Sequence, residues 1–240
     1  ALLSTFWTGA HLQFTHAWYG FQIVTIYGFF SMCLFGAIYY IVPGQRALVH
    51  ALDVSKTPSV DGFAAWVKTQ TDKVDVLINN AGVIVRTPFL QLKREEWQKV
   101  LDTDLTACFL MAQHAAKLMV AQGSGRIVHL SSIMNHVARP NLVPYVVAKG
   151  GVSALTRAMA ADLAGTGVTV NALAPGVIVT PMTEVTRANP ERLQRFMARI
   201  PLGRLGQPEE IAGPAVFLAS DLASYVNGVT LPIDGGVMAV

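Results

Sequence analysis

The chain has 240 residues, enough for one large α/β domain or for a smaller domain with an added segment. Its formal net charge is +3, and the charges are interspersed rather than grouped into basic runs, which argues against a nucleic-acid partner. The two cysteines, Cys33 and Cys108, are too few for a disulfide framework or a cysteine metal site. A reducing, cytoplasmic environment is therefore expected for residues 44–240.

Charge divides the chain into two parts. Every Lys, Arg, Asp and Glu lies at or beyond Arg46, so the preceding residues carry no formal charge, while the remainder has the charge pattern of a soluble protein. We therefore predict a hydrophobic segment over residues 1–43 and one domain over residues 44–240.

Residues 17–42 are an uncharged run that predicts a membrane-spanning helix. As a helix the run would be about 39 Å long, and the hydrocarbon core of a bilayer is about 30 Å thick. Trp18 and Tyr19 near one end, and Tyr39 and Tyr40 near the other, match the aromatic residues found at membrane interfaces. Membrane contact through residues 17–42 is expected, and the alternative is a hydrophobic helix buried against the following domain.

From Ala47 onward, short apolar runs alternate with longer amphipathic segments, which is typical of βαβ units around a parallel sheet. The predicted strands are residues 48–54, 74–79, 126–132, 168–176 and 229–236. The predicted helices are residues 59–71, 93–122, 145–165, 183–200 with an interruption at Pro190, and 208–220.

Tyr145 and Lys149 are the first candidates for catalysis. Their i, i+4 spacing puts them on one face of a helix, where the ammonium would lower the pKa of the phenol and make it useful in proton transfer. Ser132 ends the preceding strand, where its hydroxyl could hold a substrate oxygen. Such a pair is not specific alone, but NNAG (79–82) and PGVIVT (175–180) also follow predicted strands, where α/β sheets bind ligands.

With NNAG, the Ser132, Tyr145 and Lys149 set, and PGVIVT, residues 44–240 resemble the short-chain dehydrogenase/reductase family. The resemblance implies a Rossmann-like, doubly wound α/β fold and hydride transfer with NAD or NADP. It gives Ser132, Tyr145 and Lys149 the catalytic roles. The cofactor-binding residues that it implies are Asp53, Val54, Asn80, Ala81, Gly82, Lys149, Pro175, Gly176, Ile178 and Thr180.

The larger departure from the family pattern is a missing glycine turn. The family opens with TGxxxGxG, which binds the cofactor pyrophosphate at a helix N-terminus. Thr8, Gly9 and Ala10 echo that turn, but no further glycine follows closely. We therefore expect weakened cofactor binding and a truncated parallel sheet that lacks the first βαβ unit, preceded by a transmembrane-like helix.

The smaller departure is Asp104, where the family usually places Asn in its proton relay. An ionised carboxylate accepts hydrogen bonds but cannot donate them, so a water relay to Lys149 would have to be rearranged. Asp104 is a catalytic candidate on the resemblance alone.

Within the family, the chain resembles the gluconate 5-dehydrogenase group, in VIVRTPF (83–89), the AR pair before Pro140, AGPAVFLASD and the ending IDGGVMAV. That resemblance implies a sugar-acid or polyol substrate, with Arg86 and Arg139 as candidates to bind its carboxylate. The alternative is that both arginines are solvated loop residues. Because family members commonly pair the helices that correspond to residues 93–122 and 145–165, a homodimer or homotetramer is expected.

The N-terminal segment carries a second resemblance. FTHAWYG and YGFFSMCLFGAIYYIVP resemble a helix of the catalytic subunit of cbb3-type haem-copper oxidases. Haem binding is not implied, because Phe21 and Ile23 stand where that family has histidine ligands. Two alternatives to an active enzyme follow: a membrane-anchored binding module without turnover, or an artificial or misassembled chimera joined near Pro43 and Gly44.

Overall fold

The computed structural model describes the backbone of residues 23–28, 36–41 and 48–49 and all of residues 50–240. Within these residues the strands form one seven-stranded sheet in the order β3-β2-β1-β4-β5-β6-β7. Pairing is parallel from β1 through β4, β5 and β6 to β7, and β2 is antiparallel to both β1 and β3. The strands are β1 Ile23–Gly28, β2 Gly36–Ile41, β3 Leu48–Leu52, β4 Val76–Asn79, β5 Gly125–Leu130, β6 Val168–Pro175 and β7 Thr230–Ile233.

Seven α-helices lie within the described residues. They are α1 Thr57–Gln70, α2 Arg94–Leu101, α3 Ala107–Gln122, α4 Val143–Asp162, α5 Glu184–Arg187, α6 Pro190–Met197 and α7 Glu209–Ala219. The predicted α/β class with a parallel sheet is confirmed. The single helix predicted over residues 93–122 is instead α2 and α3 joined by a π-helical turn, Asp102–Thr106. Helix α3 ends at Gln122, where the end was predicted, because Gly123 adopts the left-handed conformation that caps helices.

Apolar residues pack on both faces of the sheet. Ile127 belongs to a core with Phe63 of α1 and Met111 of α3, whereas its neighbour Val128 belongs to a core with Leu218 of α7. Consecutive strand residues point to opposite faces, so β5 is covered by helices on both sides. This arrangement is the doubly wound one, and it leaves the strand ends as the accessible edges of the sheet.

Residues 23–28 and 36–41 differ from the helix predicted over residues 17–42. They are strands, and β1 pairs with β4 through Ile23 opposite Val76. A strand in the middle of a sheet has the same continuous apolar composition as a buried helix, and periodicity does not separate the two. The β-branched run IVTI fits a strand. The rest of the predicted span, and Thr8, Gly9 and Ala10, lie outside the described residues.

Two strands occupy the place in the described sheet where we expected members to be missing, while the loss of the first βαβ unit stays a prediction. Strands β1 and β2 lie between β3 and β4, and β3 pairs with β2 through Leu52 opposite Gly36. The antiparallel β1 and β2 do not form a βαβ unit, whose strands are parallel. No helix among the described residues has both the length and the apolarity needed to cross a bilayer.

Candidate functional site

The predicted site residues meet along one edge of the sheet. Because β4, β5 and β6 are parallel, the segments that follow them emerge at the same edge, where α/β sheets bind ligands. The segment after β4 carries Asn80, Ala81 and Gly82. The segment after β5 carries Ser132, and the segment after β6 carries Gly176, Ile178 and Thr180.

Helix α4 presents Tyr145 and Lys149 to this edge. It begins at Val143 with Pro144 in its first turn, where proline costs no hydrogen bond. The Lys149 ammonium lies 5.5 Å from the centre of the Tyr145 ring, as their spacing on one helix face predicts. The structure therefore brings this pair together beside the end of β5.

Lys149 is held by two oxygen atoms. Its Nζ donates a hydrogen bond to the Leu130 carbonyl at 2.8 Å and lies 3.2 Å from Oδ2 of Asp104. That second contact is an ion pair without hydrogen-bond angles. The Val83 amide donates to Oδ1 of Asp104 at 2.7 Å. Both charged side chains are buried, with 5% of Lys149 and 0% of Asp104 exposed, so they balance each other inside the protein.

The pKa of Tyr145 is raised above its ordinary value, which differs from the lowering expected from the sequence. Burial is the largest cause, because it disfavours the charged phenolate. The Lys149 ammonium does lower the pKa, and so does a hydrogen bond with Ser132, but the Asp104 carboxylate raises it. The expected effect of Lys149 is therefore present and outweighed.

Lys149 and Asp104 form a coupled pair. Burial alone would lower the pKa of Lys149, but Asp104, then Tyr145 and Cys108, raise it above the ordinary value, so the side chain stays an ammonium. Burial raises the pKa of Asp104, and the ammonium and the Val83 amide oppose that rise. The contacts with an ammonium and an amide are those of a carboxylate.

A polar chain that the sequence analysis missed connects β5 to α4. Ser131 Oγ donates to the Lys149 carbonyl at 2.9 Å and lies 2.9 Å from Ser153 Oγ, which accepts from Asn135 Nδ2 at 2.8 Å. These bonds fix the turn after Ser132 against α4. The available signals were that Ser131 adjoins Ser132 and that Ser153 lies one helical turn after Lys149.

The loop after β6 is held close to the last strand. The Gly176 amide donates to the Ile233 carbonyl at 2.9 Å, and a Cβ at Gly176 would lie 2.7 Å from Cα of Asp234. Only glycine fits such a backbone approach. Thr183 Oγ1 donates to the Ile178 carbonyl at 2.7 Å, and the Thr180 amide donates to Thr183 Oγ1 at 3.1 Å. The segment from Pro175 to Thr180 therefore has a fixed path beside the catalytic candidates.

Asp53 and Val54 follow β3, farther along the same edge. The Asp53 carboxylate accepts from the Ser55 amide at 3.0 Å and from the Ser55 hydroxyl at 2.7 Å, and Val54 is buried. Strands β1 and β2 separate β3 from β4, so these two residues lie apart from the Lys149 cluster. Their position is compatible with contacts to the far end of an extended ligand.

The two candidate substrate residues have different partners. Arg86 Nη2 donates to the Met182 carbonyl at 3.4 Å, and its positive charge acts on Tyr145 and on Arg192. The Arg139 guanidinium lies 3.9 Å above the ring of Phe196 on α6, an arrangement that favours a cation. Arg86 therefore interacts electrostatically with Tyr145, whereas Arg139 packs on α6.

The chain is similar in sequence to known proteins over most of its length. The family profile described as Enoyl-(Acyl carrier protein) reductase matches residues 41–238. A 2-dehydro-3-deoxy-D-gluconate 5-dehydrogenase of Pseudoalteromonas atlantica is 41% identical over 195 residues, which are 81% of this chain and 77% of the relative. A 3-oxoacyl-[acyl-carrier-protein] reductase of Synechocystis is 41% identical over 199 residues, which are 82% of this chain and 78% of the relative.

The chain is also similar to solved structures. The chain is similar to a putative NAD(P) dependent gluconate 5-dehydrogenase from Beutenbergia cavernae, determined with bound NADP at low occupancy. The two share 42% identity with a TM-score of 0.79, over 82% of this chain and 79% of the other.

Proposed function

Because this chain belongs to the short-chain dehydrogenase/reductase family, we propose that it transfers a hydride between NAD or NADP and an alcohol or ketone carbon of a sugar acid or polyol. The proposal depends on one observation: Ser132, Tyr145 and Lys149 meet at the carboxyl end of β5. The chain is an oxidoreductase of this family, and the assignment of its substrate and of individual residue roles is the proposed part.

Tyr145 is the proton-transfer group of the proposed reaction. Its raised pKa keeps the phenol protonated near neutral pH, so it gives a proton to the carbonyl oxygen in the reduction direction. In the oxidation direction the phenol must first lose that proton, so the rate rises with pH. Ser132 holds the reacting oxygen beside the phenol, and Lys149 favours the phenolate once it forms. The nicotinamide, when bound, supplies or accepts the hydride.

The residues present fit the nicotinamide half of the cofactor. An ammonium has three donors, and Lys149 uses one of them in its hydrogen bond to the Leu130 carbonyl, so a donor is left for a ribose hydroxyl. Gly82 lies against that ion pair, since a Cβ there would be 3.0 Å from Oδ2 of Asp104. In this proposal the loop from Pro175 to Thr180 holds the carboxamide, and Asp53 and Val54 contact the adenine.

Cofactor affinity depends in this proposal on the missing glycine turn. The sequence contains no TGxxxGxG turn, so we propose that the pyrophosphate is held weakly. Each charge-assisted hydrogen bond that is missing costs about 1.5 to 3 kcal/mol. Calorimetric titration with NADH and NADPH measures the effect, and we expect dissociation constants well above micromolar. Micromolar binding would show that other residues hold the pyrophosphate.

The substrate class is tested with a matched pair of compounds. D-gluconate and D-glucitol have the same carbon chain and differ in one carboxylate, which Arg86 or Arg139 would bind through paired donors. We expect a higher kcat/KM for the acid at saturating cofactor. Equal values would assign the enzyme to polyols, and turnover only of an acetoacetyl thioester would assign it to the chemistry of the Synechocystis relative.

Location and assembly remain predictions. Membrane contact through residues 17–42 and a membrane anchor for a binding module are not favoured by β1 and β2, because residues 23–28 and 36–41 lie in the sheet. Sedimentation of the protein with membranes after a carbonate wash would support membrane contact. A homodimer or homotetramer is compatible with the exposed Phe109 and Val120 on α3 and Val147 on α4, and light scattering gives the subunit number.

A further inference from the structure

Asp104 is a buried charged residue that the proposed reaction does not use directly. It lies in the π turn between α2 and α3, with its side chain fully buried. Its carboxylate accepts from the Val83 amide at 2.7 Å and contacts the Lys149 ammonium at 3.2 Å. Cys108, one turn later, donates its thiol to the Asp104 carbonyl at 3.2 Å. The carboxylate is therefore held by two contacts, and the thiol holds the backbone of the same residue.

We propose that Asp104 is a positioning residue that anchors the Lys149 ammonium and competes with the Tyr145 phenol for its positive charge. The proposal rests on the proposed function, because it concerns the same tyrosine. Asp104 and Tyr145 face the same ammonium, which lies 3.2 Å from the carboxylate and 5.5 Å from the centre of the phenol ring. Because the nearby carboxylate already balances the charge of the ammonium, the ammonium stabilises the phenolate less.

The sign of this competition follows from the groups around Tyr145. Lys149 on α4 and Arg86 after β4 favour the phenolate, and Asp104 in the π turn disfavours it. Cys108 on α3 and His129 on β5 also interact with Lys149. The pKa of Cys108 is raised to about 12 by burial, and the pKa of His129 is lowered to about 4, so both are neutral near neutral pH. The carboxylate of Asp104 is then the anion opposing Tyr145 within this cluster.

Direct titration of Tyr145 tests the proposal without cofactor or substrate. The ultraviolet difference absorbance of tyrosinate is recorded against pH for the wild type and for Asp104→Asn. Subtracting the same curve for Tyr145→Phe in each background isolates this residue among the six tyrosines. We expect the midpoint of Tyr145 to fall by about one pH unit in Asp104→Asn, because a close charge shifts a pKa by about that much or more.

Three further variants separate charge from structure. Asp104→Ser also removes the charge and should lower the midpoint, while Asp104→Glu keeps the charge and should stay close to the wild type. Asp221→Asn removes the exposed partner of Arg126 and should change nothing at Tyr145. Asp104→Asn retains an oxygen acceptor for the Val83 amide, so its fold is expected to persist, and circular dichroism checks it.

Two results would overturn the proposal. An unchanged midpoint in Asp104→Asn and Asp104→Ser would show that the carboxylate exerts no net effect on the phenol. A higher midpoint would show that Asp104 favours the phenolate by holding Lys149 toward Tyr145, which is the opposite of the proposed competition. Neither result depends on turnover, so the proposed function could fail separately, by absence of hydride transfer. Where turnover is measured, the rising limb of the kcat profile for oxidation should move to lower pH in Asp104→Asn.

Discussion

Two groups of charged residues lie at the same edge of the sheet and differ in their exposure. Lys149 and Asp104 are buried and contact each other, whereas Arg86 is exposed and Arg139 is half-buried against Phe196. Charges interact strongly where water is excluded and are screened where it is not. The buried cluster is therefore suited to setting proton affinities, and the arginine rim is suited to binding an anion.

The largest expected effect comes from the buried side. Tyr145→Phe removes the proton donor while keeping the ring, and we expect kcat to fall by about 10³-fold with KM changed little. Steady-state kinetics with the best substrate measures both constants. Tyr225→Phe is the matched control, because Tyr225 is fully exposed. If the rate survived in Tyr145→Phe, another group would be the proton donor.

The second prediction concerns His129, also inside the buried region. Its ring is fully buried, Nδ1 lies 3.1 Å from Asn79 Nδ2, and burial and then Lys149 lower its pKa from 6.5 to about 4. The unfolded chain binds this proton first as pH falls, so stability is lost between about pH 6.5 and pH 4. The loss is of order 3 kcal/mol.

His129→Asn should remove most of that pH dependence while keeping a neutral partner for Asn79. Urea unfolding at a series of pH values from neutral to acidic measures it, with His136→Asn as a control because His136 is exposed. An unchanged slope in His129→Asn would mean that other groups control acid stability.

The smallest effect is expected at the rim. Arg86→Met and Arg139→Met should each raise the KM for a sugar acid by about 10-fold and leave kcat nearly unchanged, since a partly exposed charged hydrogen bond contributes about 1.5 kcal/mol. The KM for the matching polyol should not change. Arg157→Met, at an exposed position of α4, is the control. A large fall in kcat for Arg86→Met would move Arg86 from the rim to the catalytic group.

Local pattern was enough for most elements of the fold. The apolar run before Asn79 and the amphipathic run before Gly123 have composition and end signals that do not depend on distant residues, and β4 and α3 form there. The strand at residues 23–28 was not predicted, because a strand that lies between two others shows no alternation of apolar and polar residues. What decides their structure is a partner, and the partner is β4.

The candidate site also has a part that local sequence predicts and a part that depends on the fold. Tyr145 and Lys149 are one helical turn apart, so the sequence alone places them together. Asp104 reaches Lys149 only through the fold, and the raised pKa of Tyr145 depends on burial, which no spacing reports. The stacking of Arg139 on Phe196 likewise joins segments that are distant along the chain.

The π turn determines which residues of the long helical segment stay inside. The buried positions Val100, Asp104, Cys108, Ala112 and Ala116 recur every four residues. A straight α-helix advances about 400° over four residues, so this series would rotate about 40° per step and leave the core. Residues Asp102–Thr106 have i→i+5 bonds and advance less per residue, which cancels part of the drift. A single deletion between Asp104 and the start of α3 would therefore rotate Asp104 relative to the apolar residues that α3 buries.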